Sequence, residues 1–177
     1  MSQTTDSAWT TRPETPADIP AVREVVRAAF GRPEEAELVD ALRADPSWID
    51  GLSVVSVDGD EDGDGKVVGH ALLTRCHIGD APALCLAPCS VLPEYQRGGA
   101  GSAAIRAALT AAAERGERFV TVLGHPEYYP RFGFTRASAH GISITLDVPD
   151  EALMALSLTP GDPLPGGTIR YAAPFGI

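Results

Sequence analysis

Residues 84–102 constrain the fold more than any other stretch of this 177-residue chain. An apolar, strand-like run at 84–91 holds a proline, Pro88. It then enters the turn Leu92-Pro93-Glu94-Tyr95-Gln96-Arg97-Gly98-Gly99-Ala100-Gly101-Ser102, which opens a helix reaching about Arg115. Proline has no N–H to give a ladder, so the strand must be broken, bulged or at an edge there. The glycines let backbone approach a ligand without Cβ interference. Free N–H groups and the positive dipole end of the helix favour a phosphate at its start. The expected ligand is therefore a diphosphate-bearing cofactor.

The remaining pattern supplies the frame around this unit. Residues 9–12 predict a first strand. Thr15 as N-cap, Pro16 at the first helical position and Asp18 at the capping-box position then begin a helix. Ile19, Val22, Val26 and Ala29 recur at helical spacing as far as Phe30 and Gly31. A second helix over 34–44 turns Leu38, Ala41 and Leu42 inward, and Pro46 closes it. Residues 52–57 and 66–74 predict a hairpin around an acidic, Gly-rich loop. In the third helix Ile105, Ala108, Leu109 and Ala112 form the buried face, and Gly116 stops it. A continuous apolar strand follows at 119–123, as expected where both faces are covered. Beyond it come a short helix over 126–132, strands near 134–136 and 142–146, a short helix at 150–156 and a strand at 168–171. No repeat or long linker interrupts the order. The expected fold class is α/β, mixed α and β in a single domain over 8–177, with a central, mostly antiparallel sheet flanked by helices. Residues 1–7 are expected to be a flexible N-terminus, and the Pro-rich segment from about 147 a C-terminal extension.

Three cofactor families use a glycine turn before a helix. A Walker loop needs GxxxxGK[ST], and Lys66 is the only lysine in the chain. Gly99, Gly101 and Ala104 do spell GxGxxA. A dinucleotide fingerprint, however, follows its strand directly and meets an acidic residue about 20 positions on. Here five residues separate Val91 from Arg97, and the next strand ends in Val122-Leu123-Gly124.

The third family fits. Val91-x-Pro93-x-x-Gln96-x-x-Gly99-x-Gly101 resembles the acetyl-CoA signature of the GNAT superfamily of N-acetyltransferases. Tyr129-Pro130-Arg131-Phe132-Gly133-Phe134 is similar to that family's Tyr-x-x-x-Gly-Phe element, and Arg12-Pro13 with Asp18-Ile19-Pro20 to its opening strand and helix. The segment Gly124-His125-Pro126-Glu127-Tyr128-Tyr129-Pro130-Arg131-Phe132-Gly133-Phe134 resembles a bacterial subgroup of predicted acetyltransferases that carry a GHPxYYPRFGF element. The likeness covers most of the chain, with the specific motifs in 84–134.

The resemblance implies that strand 84–91 splays from strand 119–123 to form the acetyl-CoA cleft. Backbone groups of Cys89, Ser90 and Val91 would pair with the pantetheine arm. Gln96, Arg97, Gly98, Gly99, Ala100, Gly101 and Ser102 would hold the pyrophosphate. It further implies the Val91 N–H as oxyanion donor and Tyr129 as general acid toward the leaving thiolate, with Tyr128 as its competitor and core packing as the plain alternative for Tyr129. No asparagine precedes this element, where many relatives carry one, and no carboxylate lies on strand 84–91, where some relatives place a base. His125 is then either the base for the amine proton or a helix-start residue. Arg131 meets either a cofactor phosphate or a surface or carboxylate partner. His70, in an apolar strand, reads as a core histidine.

The implied activity is transfer of acetyl from acetyl-CoA to a primary amine of a small molecule or protein, by direct attack in a ternary complex. A non-catalytic acyl-CoA-binding regulatory module is the alternative, and a homodimer is the assembly the reading admits. The net charge of −10 argues against a nucleic-acid partner. No apolar run reaches the roughly 20 residues of a membrane helix, and residues 1–7 lack the order of a signal peptide, so a cytoplasmic location is expected. Cys85 and Cys89, four apart on one strand, would lie about 13 Å apart, too far for a disulfide. Asp58, Asp60, Asp62 and Gly63 begin a calcium-loop pattern, but its twelfth position is Gly69 rather than Glu. A solvated hairpin loop, with no metal, is expected.

Overall fold

The computed structural model describes residues 9–59 and 65–177. The expected flexible N-terminus and the loop residues Asp60, Asp62 and Gly63 lie outside the described residues. The chain opens with β1 (Thr10–Pro13), then a 3-10 turn over Pro16–Asp18 that runs into α1 (Ile19–Phe30). The Asp18 carboxylate accepts the Thr15 N–H at 2.7 Å, as the capping pattern required, and also takes both guanidinium arms of Arg12 at 2.6 and 3.0 Å. Gly31 ends α1 at φ +71, and α2 follows at Glu34–Arg43. In α2 the buried residues are Ala36, Val39 and Leu42, whereas Ala41 is exposed. The inward face is therefore rotated from the expected one, because the packing of α2 on α1 chooses the stripe.

β2 (Ser53–Asp58), β3 (Lys66–Ile78) and β4 (Ala81–Val91) form an antiparallel meander, and α3 (Ala100–Glu114) crosses to β5 (Phe119–Leu123). Short strands β6 (Thr135–Arg136) and β7 (Ile142–Ser143) precede β8 (Leu153–Ser157) and β9 (Gly167–Arg170). The main path across the sheet is β1-β2-β3-β4-β5-β8-β6, while β9 pairs with both β3 and β7. Most pairings are antiparallel; β4–β5 and β7–β9 are parallel. Three elements differ from expectation. Residues 150–156 give only a 3-10 turn at Asp150–Ala152 before β8, whose five residues pair with β5. Leu153-Met154-Ala155-Leu156 suits a helix locally, but the open edge of β5 recruits it as a strand, a tertiary override of propensity. The run at 142–146 shortens to Ile142–Ser143, and Phe134 is a core side chain next to β6 rather than part of it.

The two faces of the sheet are covered differently. On one, Ala104, Ile105, Ala108, Leu109 and Ala112 of α3 meet Val54, Leu73, Leu84, Leu86 and Val120. On the other, Val22, Val25, Val26, Val39 and Leu42 of α1 and α2 meet Val55, Val57, Val68 and Leu72. The alternation of side chains along β2 and β3 sets this division.

Under α1 and α2 sits a buried polar chain. His70 Nε2 lies 2.8 Å from Ser53 Oγ, which donates to Glu14 at 2.7 Å, and Arg43 holds Glu14 at 3.0 Å. Burial, reinforced by the Arg43 charge, pushes the imidazole down to about 3. His70 is thus a neutral core residue, in line with the sequence reading. An unfolded histidine titrates near 6.5. Below that pH the unfolded chain binds a proton that the folded chain refuses. The stabilisation is complete above about pH 6.5 and is lost as pH falls toward 3, at up to about 1.4 kcal/mol per unit. Urea unfolding between pH 7 and 5 should therefore show a shallower loss of stability in His70→Gln than in the wild type. Equal slopes would remove His70 from the acid response.

Candidate active site

β4 and β5 run together only at Leu84↔Val120 and Cys85↔Thr121. Past that point β4 stays with β3. Ala71 pairs with Cys89 and Leu73 with Leu86, so Ala87 and Pro88 together oppose Leu72 in a bulge. This is where a proline can sit without breaking the sheet. β5 instead pairs along its whole length with β8. The two strands part, and no ladder joins residues 86–91 to β5.

At the end of β4 the chain turns through Arg97 (φ +70) and Gly99 (φ +92) into α3. Among the described residues Arg97 is the only non-glycine in the left-handed region. Such turns gather successive N–H groups into an anion-binding concavity, and the first N–H groups of α3 have no helical acceptor. The Trp9 indole Nε1 donates to the Gly98 carbonyl at 2.7 Å and its ring meets Tyr95 edge-on, which holds the loop from outside. A Cβ on Gly101 would come within 2.8 Å of Val91 Cγ2, so only glycine lets α3 start this close to the strand.

Val91, Gln96, Arg97, Gly98, Gly99, Gly101 and Ser102 line one cavity of about 430 Å³, closed on its far side by Tyr128 and Arg131. The structure thus gathers seven of the ten residues expected at the cofactor. Gln96 also reaches the Val91 carbonyl at 3.4 Å. Ala100 is buried with its side chain in the α1–α2 core, and Ser90 is buried too, so each can offer backbone alone. Cys89 is partly buried and packs toward the α3-side core with Tyr129. A second cavity, about 650 Å³, shares Gly99 and Ser102 and extends along α3 past Arg106.

The rings of the neighbouring tyrosines meet edge-on with centroids 5.0 Å apart, but beside the 3-10 turn at Tyr129–Phe132 their hydroxyls find different partners. The Tyr128 hydroxyl sits 2.8 Å from Ser102 Oγ, beside the glycine loop. The Tyr129 ring is buried against Phe134 (centroids 6.0 Å apart), and a Cβ on Gly124 would come within 2.5 Å of it. Burial and the adjacent Cys89 thiol raise the Tyr129 phenol above its ordinary value, so it keeps its proton at neutral pH. Burial likewise pushes Cys89 up to about 12, so it stays a thiol and makes a poor nucleophile. His125 is exposed at the end of β5; its carbonyl accepts the N–H groups of Tyr128 and Tyr129, which shapes the turn. Among the described residues no group of three or more His, Cys, Asp or Glu side chains is placed to hold a metal ion.

Trp9 as a loop support, Tyr128 as a glycine-loop contact and Arg106 on the cavity wall were not among the residues expected from the sequence. Arg106 was accessible in principle, since it follows Ser102 by four positions on a helix and so shares its face. Trp9 was not, because it lies 89 residues from Gly98.

Comparison with known proteins agrees with this geometry. The model of the acetyltransferase (GNAT) family matches residues 19–134. The uncharacterized N-acetyltransferase YjhQ of Escherichia coli strain K12 is 38% identical over 166 residues, 89% of each chain. The crystal structure of E. coli YhbS, a GNAT family N-acetyltransferase in complex with CoA, superposes with a TM-score of 0.84 at 25% identity, over 96% of this chain and 93% of that one. A GNAT family acetyltransferase from Brucella melitensis in complex with acetyl-CoA gives a TM-score of 0.76 at 32% identity, over 94% and 97%.

Proposed function

This chain belongs to the GNAT family of acetyltransferases and is an acetyl-CoA-dependent N-acetyltransferase, and we propose that it carries acetyl to a primary amine of a small molecule or protein by direct attack within a ternary complex. The observation that carries the reading is the parting of β4 from β5 beside the glycine loop at the start of α3. One opening then offers unpaired strand backbone for an amide-bearing arm and free N–H groups for a diphosphate.

In this reading Gln96, Arg97, Gly98, Gly99, Ala100, Gly101 and Ser102 hold the pyrophosphate, and backbone of Cys89, Ser90 and Val91 pairs with the pantetheine. Bound acetyl-CoA supplies an activated thioester. The Val91 N–H stabilises the oxyanion, and Tyr129 gives the departing thiolate its proton. Burial keeps the phenol protonated, so a proton is at hand beside the sulfur, while the same burial makes the phenol a weaker acid than a free tyrosine. His125, exposed at the mouth of the parted strands, takes the amine proton directly or through water. The protonated Cys89 favours direct attack over an acyl-enzyme. Residues 8–177 form one catalytic domain, in which the extension from about 147 adds β8 and β9 to the sheet. In the same reading, the likeness of segment 124–134 to the GHPxYYPRFGF element makes the chain a member of that subgroup. The working location is the cytoplasm; among the described residues no helix is long and apolar enough to cross a membrane.

The test is release of free thiol from acetyl-CoA against a panel of small amines and peptide N-termini or lysines. Acetylated product with at least one amine is expected. Tight acetyl-CoA binding without turnover across the panel would favour a binding module instead.

A further inference from the structure

Among the described residues, nine of the fourteen Lys and Arg side chains in this acidic protein have a carboxylate partner within 4.0 Å. Among the described residues, three of the five that have none stand around the glycine loop: Arg97, Arg106 and Arg131. In a chain with 24 carboxylates, three guanidinium groups that stand together with none beside them among the described residues make this a locally positive patch that favours an anionic ligand.

Two of the three are held in place. Arg131 lies over the Tyr128 ring, 4.3 Å from its centroid, and its Nε donates to the Tyr128 carbonyl at 2.8 Å. Arg106 lies over the Phe132 ring at 4.9 Å. Those rings meet edge-on, with centroids 5.4 Å apart, so one aromatic ledge carries both cations. Both positive fields reach the Tyr128 hydroxyl, which touches Ser102 in the first turn of α3. Stacking occupies the guanidinium faces and leaves in-plane N–H groups for an anion. The ledge borders both cavities, which meet at Gly99 and Ser102.

A diphosphate cradled by backbone N–H groups and Arg97 does not account for two further cations on the ledge. We propose that Arg106 and Arg131 form a separate phosphate subsite, which takes the 3′-phosphate on the ribose of the coenzyme and lets the enzyme select it over the 3′-dephosphorylated form. This rests on the acetyl-CoA reading above.

Isothermal titration with acetyl-CoA and with its 3′-dephospho analogue, at fixed ionic strength, tests it in wild type, Arg106→Gln, Arg131→Gln and the double variant. Wild type should bind acetyl-CoA at least about tenfold more tightly than the analogue, as expected for loss of a charge-assisted contact. The double variant should bind both alike, near the wild-type affinity for the analogue, because each substitution removes a partner the analogue never engages. Equal wild-type affinities for the two compounds would overturn the phosphate subsite and leave the cofactor reading standing. Undiminished preference for acetyl-CoA in the folded double variant would overturn the assignment to these arginines. Failure of folded wild type to bind either compound would overturn the cofactor reading, and the subsite with it.

Discussion

Tyr129→Phe is expected to lower turnover by roughly 10²–10⁴-fold, the range for a lost general acid, with little change in acetyl-CoA affinity. The substitution keeps the ring that packs on Gly124 and Phe134 and removes only the hydroxyl beside Cys89. Folding should survive. Single-turnover measurement is the proper readout, since slow product release would hide part of the drop. Tyr128→Phe is the informative control. Its hydroxyl bonds Ser102 at the glycine loop, the proposed pyrophosphate site, so the loss there should fall on cofactor binding rather than on turnover. Near-normal single-turnover rates in Tyr129→Phe would take Tyr129 out of the mechanism. A large rate loss confined to Tyr128→Phe would transfer the role to its neighbour.

The second large effect is expected for Ser102→Asp. A carboxylate in the first turn of α3 meets the positive end of the helix dipole and can accept the Tyr128 hydroxyl, so the melting temperature should hold or rise. In the proposed complex the same charge would face the pyrophosphate. Two like charges about 5 Å apart at an effective dielectric near 20 repel by about 3 kcal/mol, which is on the order of a 100-fold loss of affinity. Stability and binding therefore move independently, which a general disruption would not produce. Gly99→Asp, the more obvious change, confounds the two, because Gly99 sits at φ +92 where an aspartate is strained. Calorimetry showing unchanged acetyl-CoA affinity in folded Ser102→Asp would place the pyrophosphate elsewhere.

Local chemistry was legible wherever the responsible residues are neighbours in sequence. Pro88 announced an interrupted ladder, and the bulge opposite Leu72 is that interruption. The glycines between Arg97 and Ser102 announced close backbone approach, and the 2.8 Å limit at Gly101 is its measure. The buried stripe of α3 followed from spacing alone. Other features depend on partners far along the chain. Ala41 looked inward until α2 met α1, and residues 153–156 looked helical until β5 offered an edge. The contrast between Tyr128 and Tyr129 was invisible, because adjacent residues in an irregular turn point wherever that turn sends them.

By itself, then, the sequence determined the strand–turn–helix unit and the place of His70 within an apolar strand, since each needs only backbone stereochemistry or local hydrophobic pattern. The tertiary structure alone decided how far β4 and β5 separate, which tyrosine reaches Ser102 and which reaches Cys89, and that Trp9, Arg106 and Arg131 converge on one loop. The physical reason is that these are contacts between elements: they form only once the two faces of the sheet are buried, and burial fixes positions that local propensity leaves open.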